Sequence, residues 1–119
     1  MLAGGEQPYL IGLKGGGLFA FAGLWESWTG PEGELRSFTI VTTAPNELMT
    51  RIHDRMPAII PRAQYARWLD PELRDAAQIQ TMIASYPAEA LRALPVSTRI
   101  NSARNQGPEL IEPAGAPLA

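Results

Sequence analysis

The sequence predicts an α+β fold, in which a mainly antiparallel β-sheet packs against two or three short helices. Three observations support this class. Two short apolar runs flank three consecutive glycines, a β-branched run follows a turn rich in glycine and proline, and helical spacing occurs only later, between prolines. The 119 residues are the size of one domain, and 45% hydrophobic with 18% charged residues is typical of a globular chain.

Three strands are expected in the first part of the chain. Tyr9–Lys14 and Leu18–Trp25 flank Gly15–Gly17, so we expect them to pair as a hairpin. Because Leu18–Trp25 is apolar throughout, it should be central and buried. Arg36–Thr43 is rich in β-branched residues and follows the turn chemistry of Thr29–Glu34. Together the three segments predict an antiparallel meander.

Short helices are expected in the second part. Residues 46–51, which begin with a capping asparagine, predict one helix that must stop at Pro57. Residues 61–69 predict a second helix, opened by a proline, and residues 75–85 predict a third. Residues 87–95 are assigned to a further helical turn or loop, because they lie between prolines.

The composition excludes several classes of protein. No run of about 18 apolar residues and no basic stretch leading into an apolar segment occurs, so neither a membrane span nor a signal peptide is expected, and the predicted location is cytoplasmic. The absence of cysteine excludes disulfides and thiolate zinc sites. With a single histidine, His53, a histidine-rich metal site is ruled out. We therefore expect no metal and no cofactor.

The charge is unevenly distributed. A net charge of −2 argues against coating nucleic acid by bulk electrostatics, yet residues 51–104 hold eight arginines against five acidic residues. Arginine suits bidentate contact with phosphate, although an arginine bias can equally reflect codon composition. Both interpretations remain open.

Aromatic residues offer a second hint of nucleic-acid binding. Trp25, Phe19 and Phe21 could stack on bases, but packing in the core is the preferred interpretation. Trp28 begins a polar loop and is the best candidate for an exposed aromatic side chain. The glycines of Gly15–Ala20 imitate a dinucleotide fingerprint, but strand residues follow where a helix is required, so a turn is preferred.

The most specific segment is Ile52–Pro57, in which histidine, aspartate and arginine are consecutive. It places an imidazole, which exchanges protons near neutral pH, beside a guanidinium that can bind phosphate, at a helix end stopped by proline. Such a cluster is either a functional site or a structural arrangement of satisfied polar groups.

Ile52–Pro57 resembles the histidine segment of the SOS response-associated peptidase (SRAP) family. The resemblance covers about residues 7 to 113, and several segments in register are more specific than one motif alone. The supporting segments share the family's order and spacing: Phe19–Trp28, Thr39–Thr43 followed by Asn46–Leu48, and Val96–Asn101 with Asn105 and Pro108–Ile111.

The resemblance implies a barrel-like core and a sensor of abasic sites in single-stranded DNA during the response to DNA damage. In the family, an N-terminal cysteine exposed by self-removal of the initiator methionine condenses with the ring-opened sugar aldehyde to form a thiazolidine crosslink. By the same resemblance, His53 is the acid–base or sugar-orienting group, Arg55 contacts DNA phosphate, and Thr42 contacts the DNA backbone.

The chain departs from the family pattern at its start. Residue 2 is Leu2 rather than cysteine, and the family's asparagine and glutamate should precede Gln7. Glu26 is not assigned to that glutamate's role, because the family residue lies upstream of the strand resembling Tyr9–Lys14. We therefore expect residues 1–113 to be a partial SRAP-like domain and residues 114–119 a disordered tail. Crosslinking and self-cleavage should be absent from this chain alone, so its status as an enzyme is open.

Loss of strands from the family domain should also expose a sheet edge and apolar surface, which predicts self-association. The expected partner is single-stranded DNA with abasic sites, and the protein should be nucleoid-associated when bound to it. The alternative is a non-catalytic remnant or interaction module without DNA chemistry, in which His53 and Arg55 are structural. Binding of single-stranded DNA distinguishes the two hypotheses.

Overall fold

The structure is a computed structural model that describes residues 2–3 and 6–118, and within these it confirms the α+β class. It has short antiparallel ladders and few helices. The strands are β1 (Leu2–Ala3), β2 (Tyr9–Leu13), β3 (Ala20–Phe21), β4 (Gly23–Gly30), β5 (Gly33–Ile40), β6 (Thr42–Thr43), β7 (Met56–Pro57), β8 (Ile59–Ile60) and β9 (Leu91–Pro95). The α-helices are α1 (Tyr65–Trp68) and α2 (Ala76–Met82), and single turns of 3-10 helix cover Met49–Arg51, Arg62–Gln64, Ala88–Ala90, Thr98–Asn101 and Pro108–Ile111.

The chain divides into two compact units, each built from separate stretches of sequence. The first unit takes the described residues of Met1–Leu18, Pro45–Arg55 and Pro87–Ala119. The second unit takes Phe19–Ala44 and Met56–Tyr86.

A three-stranded antiparallel sheet of order β1-β2-β9 forms the first unit. Tyr9 lies opposite Pro95 and Leu13 opposite Leu91. Leu91 and Ala93 are buried whereas Arg92 between them is exposed, as the two-residue period of a strand requires. The buried hydrophobic side chains of this unit are Ile11, Met49, Leu91, Ala93, Val96 and Leu110.

The predicted hairpin across Gly15–Gly17 is wrong, and so is the meander built on it. β2 pairs with β9, and β3, which lies in the second unit, pairs with β8. A turn does form here: the Gly16 N–H donates to Leu13 O at 3.0 Å, and Gly16 and Gly17 lie in the left-handed region with φ of 75° and 96°. The two apolar runs nevertheless pair with other strands: β2 forms its ladder with a strand that begins about 80 residues later, and β3 forms its own with β8.

Three two-stranded ladders build the second unit: β3–β8, β4–β5 and β6–β7. They join at a ring of backbone hydrogen bonds. The Val41 N–H donates to Ala22 O at 2.9 Å, the Ala22 N–H to Ala58 O at 2.8 Å, and the Ala58 N–H to Val41 O at 2.8 Å. Ala22 and Ala58 are fully buried beside Ile60 and Met82, so this ring lies at the core of the unit.

The hairpin of β4 and β5 confirms the predicted turn within Thr29–Glu34. Gly30 lies opposite Gly33, whose φ of 113° favours glycine, and the pairing continues back to Gly23 opposite Ile40. The expected burial of Leu18–Trp25 is wrong for most of the run. Only Ala22 in it is fully buried, whereas Leu18 is 90% and Trp25 72% exposed.

The helix boundaries follow the sequence prediction more closely. Asn46 Oδ1 accepts from the Met49 N–H at 2.9 Å, in the turn that leads into the 3-10 helix Met49–Arg51. Asp75 Oδ1 accepts from the Ala77 N–H at 2.9 Å and caps α2, whose Met82 is buried. The second predicted helix is also present, as Arg62–Gln64 followed by α1.

The end of the described chain runs beside β9. The Ala114 N–H donates to Pro95 O at 2.7 Å and the Leu118 N–H donates to Ala93 O at 2.9 Å. These contacts are not signalled by the composition of the segment, and its disorder in solution stays a prediction. Among residues 2–3 and 6–118, no helix has the length and apolar character needed to cross a membrane.

Candidate functional site

The histidine segment is held at the end of a short helical turn. The backbone N–H groups of Ile52 and His53 donate to Met49 O at 2.9 and 2.8 Å. Met49 itself is 1% exposed, so a core residue anchors the turn that presents His53. The predicted position of this histidine at a helix end is confirmed.

His53 makes two contacts through the same ring nitrogen. Its Nδ1 lies 3.1 Å from the Arg55 backbone N, which donates to it, and 3.0 Å from Asp54 Oδ1. One nitrogen cannot accept from Arg55 and donate to Asp54 at the same time. An imidazole without a proton on Nδ1 therefore bonds to Arg55, and one with that proton bonds to Asp54. Neither contact uses Nε2, and the His53 side chain is 57% exposed.

Arg55 lies two residues beyond His53 and is exposed in the first unit. All eight arginines between residues 51 and 104 are exposed, as phosphate contact requires. They are divided between the units: Arg51, Arg55, Arg92, Arg99 and Arg104 belong to the first, and Arg62, Arg67 and Arg74 to the second.

Thr42 belongs to the second unit, where it is exposed in β6 and lies opposite Pro57 of β7. The structure thus brings His53 and Arg55 together in one turn of the first unit, and it places Thr42 on a strand of the second unit.

Clusters of side chains that could bind a metal ion are the next feature of the surface to consider. Within residues 2–3 and 6–118, no cluster of three or more histidine, cysteine, aspartate or glutamate side chains is arranged to hold a metal ion.

The sequence predicts exposed apolar surface but not its location, which the structure places on the β4–β5 hairpin. Trp25 and Phe38 lie directly opposite each other and are 72% and 79% exposed, which makes the expected core role of Trp25 wrong. Phe19 and Phe21 are half-buried, and their rings pack edge to face at 5.5 Å. Trp28 is 60% exposed, as predicted. The alternation of large apolar side chains with polar ones on Arg36–Ile40 was the signal for a strand that is not covered on both faces.

The polar end of the same hairpin carries a small ionic cluster. Ser27 Oγ donates to Glu34 Oε1 at 2.6 Å, and Arg36 Nε donates to the same oxygen at 2.8 Å. These contacts hold the pKa of the Glu34 carboxyl below its ordinary value, chiefly through the Ser27 hydroxyl and then through the Arg36 guanidinium.

The architecture defines an α+β domain of a kind already solved by crystallography. The chain superposes on the crystal structure of a protein from Bacteroides thetaiotaomicron with a TM-score of 0.80 and 29% identity, covering 91% of this chain and 48% of that one. The family model described as SOS response associated peptidase (SRAP) matches residues 2–103, and the chain belongs to this family.

Named relatives agree with this assignment. The chain is 48% identical over 106 residues to the abasic site processing protein YoqW of Bacillus subtilis, covering 88% of this chain and 47% of that protein. It is 33% identical over 131 residues to the abasic site processing protein HMCES of Gallus gallus, covering 92% of this chain and 38% of that protein. The chain thus spans half or less of the length of these relatives.

Proposed function

We propose that this chain is the part of an abasic-site processing protein that contacts single-stranded DNA and supplies an acid–base histidine, His53. Membership of the SRAP family and the names of its relatives support DNA with abasic sites as the substrate class. The observation that carries the proposal is the turn in which the exposed His53 imidazole accepts from the backbone N–H of an exposed arginine, Arg55.

The geometry suits His53 to proton transfer. With Nδ1 accepting from the Arg55 N–H, the neutral imidazole carries its proton on Nε2 and can donate a hydrogen bond from it. With Nδ1 protonated and facing the Asp54 carboxylate at 3.0 Å, Nε2 is the atom that can accept a proton from the substrate and later return it. Condensation of an amine with the aldehyde of a ring-opened sugar requires proton transfers near neutral pH, for which an exposed imidazole held through Nδ1 is suited.

Arg55 and Thr42 are proposed to contact the DNA backbone. A guanidinium offers paired N–H donors to a phosphate, and a threonine hydroxyl offers one more. Because such contacts position a strand without reading its sequence, binding should be insensitive to base sequence and sensitive to salt.

The thiazolidine crosslink and the self-cleaving peptidase reaction of the family are proposed to belong to the complete domain. The 119 residues contain no cysteine, so they hold no thiol that could close a thiazolidine ring. The chain studied alone should therefore bind DNA without forming a covalent product. In the cell, the complete protein should associate with the nucleoid when it is bound to damaged DNA.

A binding measurement tests the DNA contact. A fluorescent single-stranded oligonucleotide with one abasic site is titrated with the chain at several salt concentrations, and anisotropy gives the Kd. Arg55→Gln should weaken binding several-fold and lower the salt slope by about 0.7, the value for one lost phosphate contact on a single strand. Arg104→Gln is the matched control, because it removes an exposed arginine of the same unit outside the turn.

If Arg55→Gln and Arg104→Gln weaken DNA binding equally, the His53 turn has no special role in binding. A covalent product that survives a denaturing gel would contradict the assignment of crosslinking to the complete domain. Affinity without salt dependence, or none at all, would favour the rival function, an interaction module without DNA chemistry. The apolar surface of the β4–β5 hairpin is the observation that favours this rival.

A further inference from the structure

The β4–β5 hairpin forms a ribbon of eight residues on each strand, here called the β4–β5 ribbon, with exposed apolar side chains on both faces. Because side chains alternate between faces and Trp25 lies opposite Phe38, the side chains of Trp25, Phe38 and Ile40 share one face, and those of Leu24, Trp28 and Leu35 share the other. Trp25 and Phe38 are 72% and 79% exposed, more than any apolar residue of the other face, and Ile40 is 41% exposed. We call these three residues the Trp25 face.

Such a surface is unusual for a ribbon of this length. An isolated two-stranded ribbon is marginally stable in water, and stable sheets add further strands or pack a face against another element. Among the residues that the structure describes, neither outer edge of the β4–β5 ribbon pairs with another strand. The ribbon thus offers edges that no further described strand pairs with and large apolar side chains on the Trp25 face, which together mark an interaction surface.

The size of the relatives indicates what covers it. The region matched by this chain makes up 47% of YoqW and 48% of the Bacteroides thetaiotaomicron structure, so both proteins carry about as much sequence again. A fold shared at a TM-score of 0.80 over 91% of this chain implies that the matched half has the same architecture in the longer protein.

We propose that the Trp25 face is the docking surface for the other half of the SRAP domain, which covers Trp25 and Phe38 and completes the sheet at the edge of the ribbon. The occupant is a polypeptide of the family's remaining sequence, with apolar residues facing the patch. This inference rests on family membership and on the ribbon, and it does not depend on DNA binding by the chain.

A complementation experiment without DNA tests the proposal. The segment of YoqW outside the matched region is produced separately and mixed with the full chain. We expect a one-to-one complex by size-exclusion chromatography with light scattering, together with a blue shift in tryptophan emission. The part of the shift that disappears in Trp25→Phe reports on Trp25 itself.

Two charge-introducing variants locate the surface. Phe38→Glu should weaken the complex at least tenfold, because it puts a carboxylate in the centre of the patch. Leu35→Glu is the matched control: it alters a residue of the same strand that is 61% exposed and lies on the opposite face, and it should leave the Kd within about twofold. Circular dichroism of both variants confirms that each remains folded.

Several outcomes would overturn the proposal. The absence of a complex would do so, as would a complex that Phe38→Glu leaves intact or that both variants weaken equally. A dimer of the chain that the YoqW segment does not displace would assign the Trp25 face to a second copy instead. Since none of these readouts involves DNA, their failure is distinct from failure of the proposed function.

Discussion

At the scale of single residues, Glu34 is held by a hydroxyl and a guanidinium on the same carboxylate oxygen. Both contacts favour the ionised form and lower the pKa of Glu34 from its ordinary value of about 4.5. A lowered pKa means that the stabilisation is fully present above the unfolded value and is lost as the pH falls through the folded one. The cluster should therefore come apart only at acidic pH.

Replacing Ser27 tests this electrostatic account. Ser27→Ala removes the largest cause of the shift, so the pKa of Glu34 should rise toward its ordinary value, and Arg36→Gln should raise it by less. An NMR titration that follows the Glu34 side-chain carboxyl from pH 7 to 2 measures both changes. If Ser27→Ala leaves the titration where it was, the hydroxyl is not the dominant partner.

At the same scale, the sequence predicts which residues meet but not how they bond. His53 and Arg55 are two positions apart at a helix end, so their proximity follows from the sequence. The sharing of Nδ1 between Asp54 and the Arg55 backbone does not, because it depends on the dihedral angles of the turn rather than on residue type. For the same reason, no residue pattern could place Thr42 in a different unit from Arg55.

At the scale of secondary-structure elements, the cap of α2 is a local feature with a predictable energy. Asp75→Ala removes the carboxylate that accepts from the Ala77 N–H and should destabilise the chain by about 1 kcal/mol. Gln80→Ala, an exposed change within the same helix, should stay within about 0.5 kcal/mol of the parent. Urea unfolding followed by circular dichroism gives both values, and equal effects would show that the cap contributes nothing.

Elements whose signals are local were predicted correctly, and elements that depend on distant partners were not. The Asn46–Met49 contact, the Asp75 cap and the turn between Gly30 and Gly33 rest on neighbours a few residues away. The prediction of a helical turn or loop for residues 87–95 holds at Ala88–Ala90 and is wrong at Leu91–Pro95, a strand of only five residues that ends in a proline. Nothing in the sequence near its partner, Tyr9–Leu13, indicates that the two pair. The glycines at Gly15–Gly17 predict a local hairpin instead, and tertiary contacts override that local preference.

At the scale of the whole molecule, the exposed ribbon predicts the behaviour of the chain studied alone. Apolar surface that the rest of the domain does not cover should be buried by copies of the same chain, so the mean mass in light scattering should rise with concentration. Phe38→Glu should reduce this self-association, because a carboxylate at the patch opposes apolar contact. A monodisperse monomer at every concentration would contradict the prediction.

The pairing of β2 with β9 also determines when the sheet of the first unit can form during synthesis. A ribosome that has released Tyr9–Leu13 must still translate about 80 residues before Leu91–Pro95 emerges. At about 5–20 residues per second, this takes several seconds. During that interval the apolar β2 strand lacks its native partner, so the nascent chain presents a binding site for chaperones until Leu91–Pro95 becomes available for pairing.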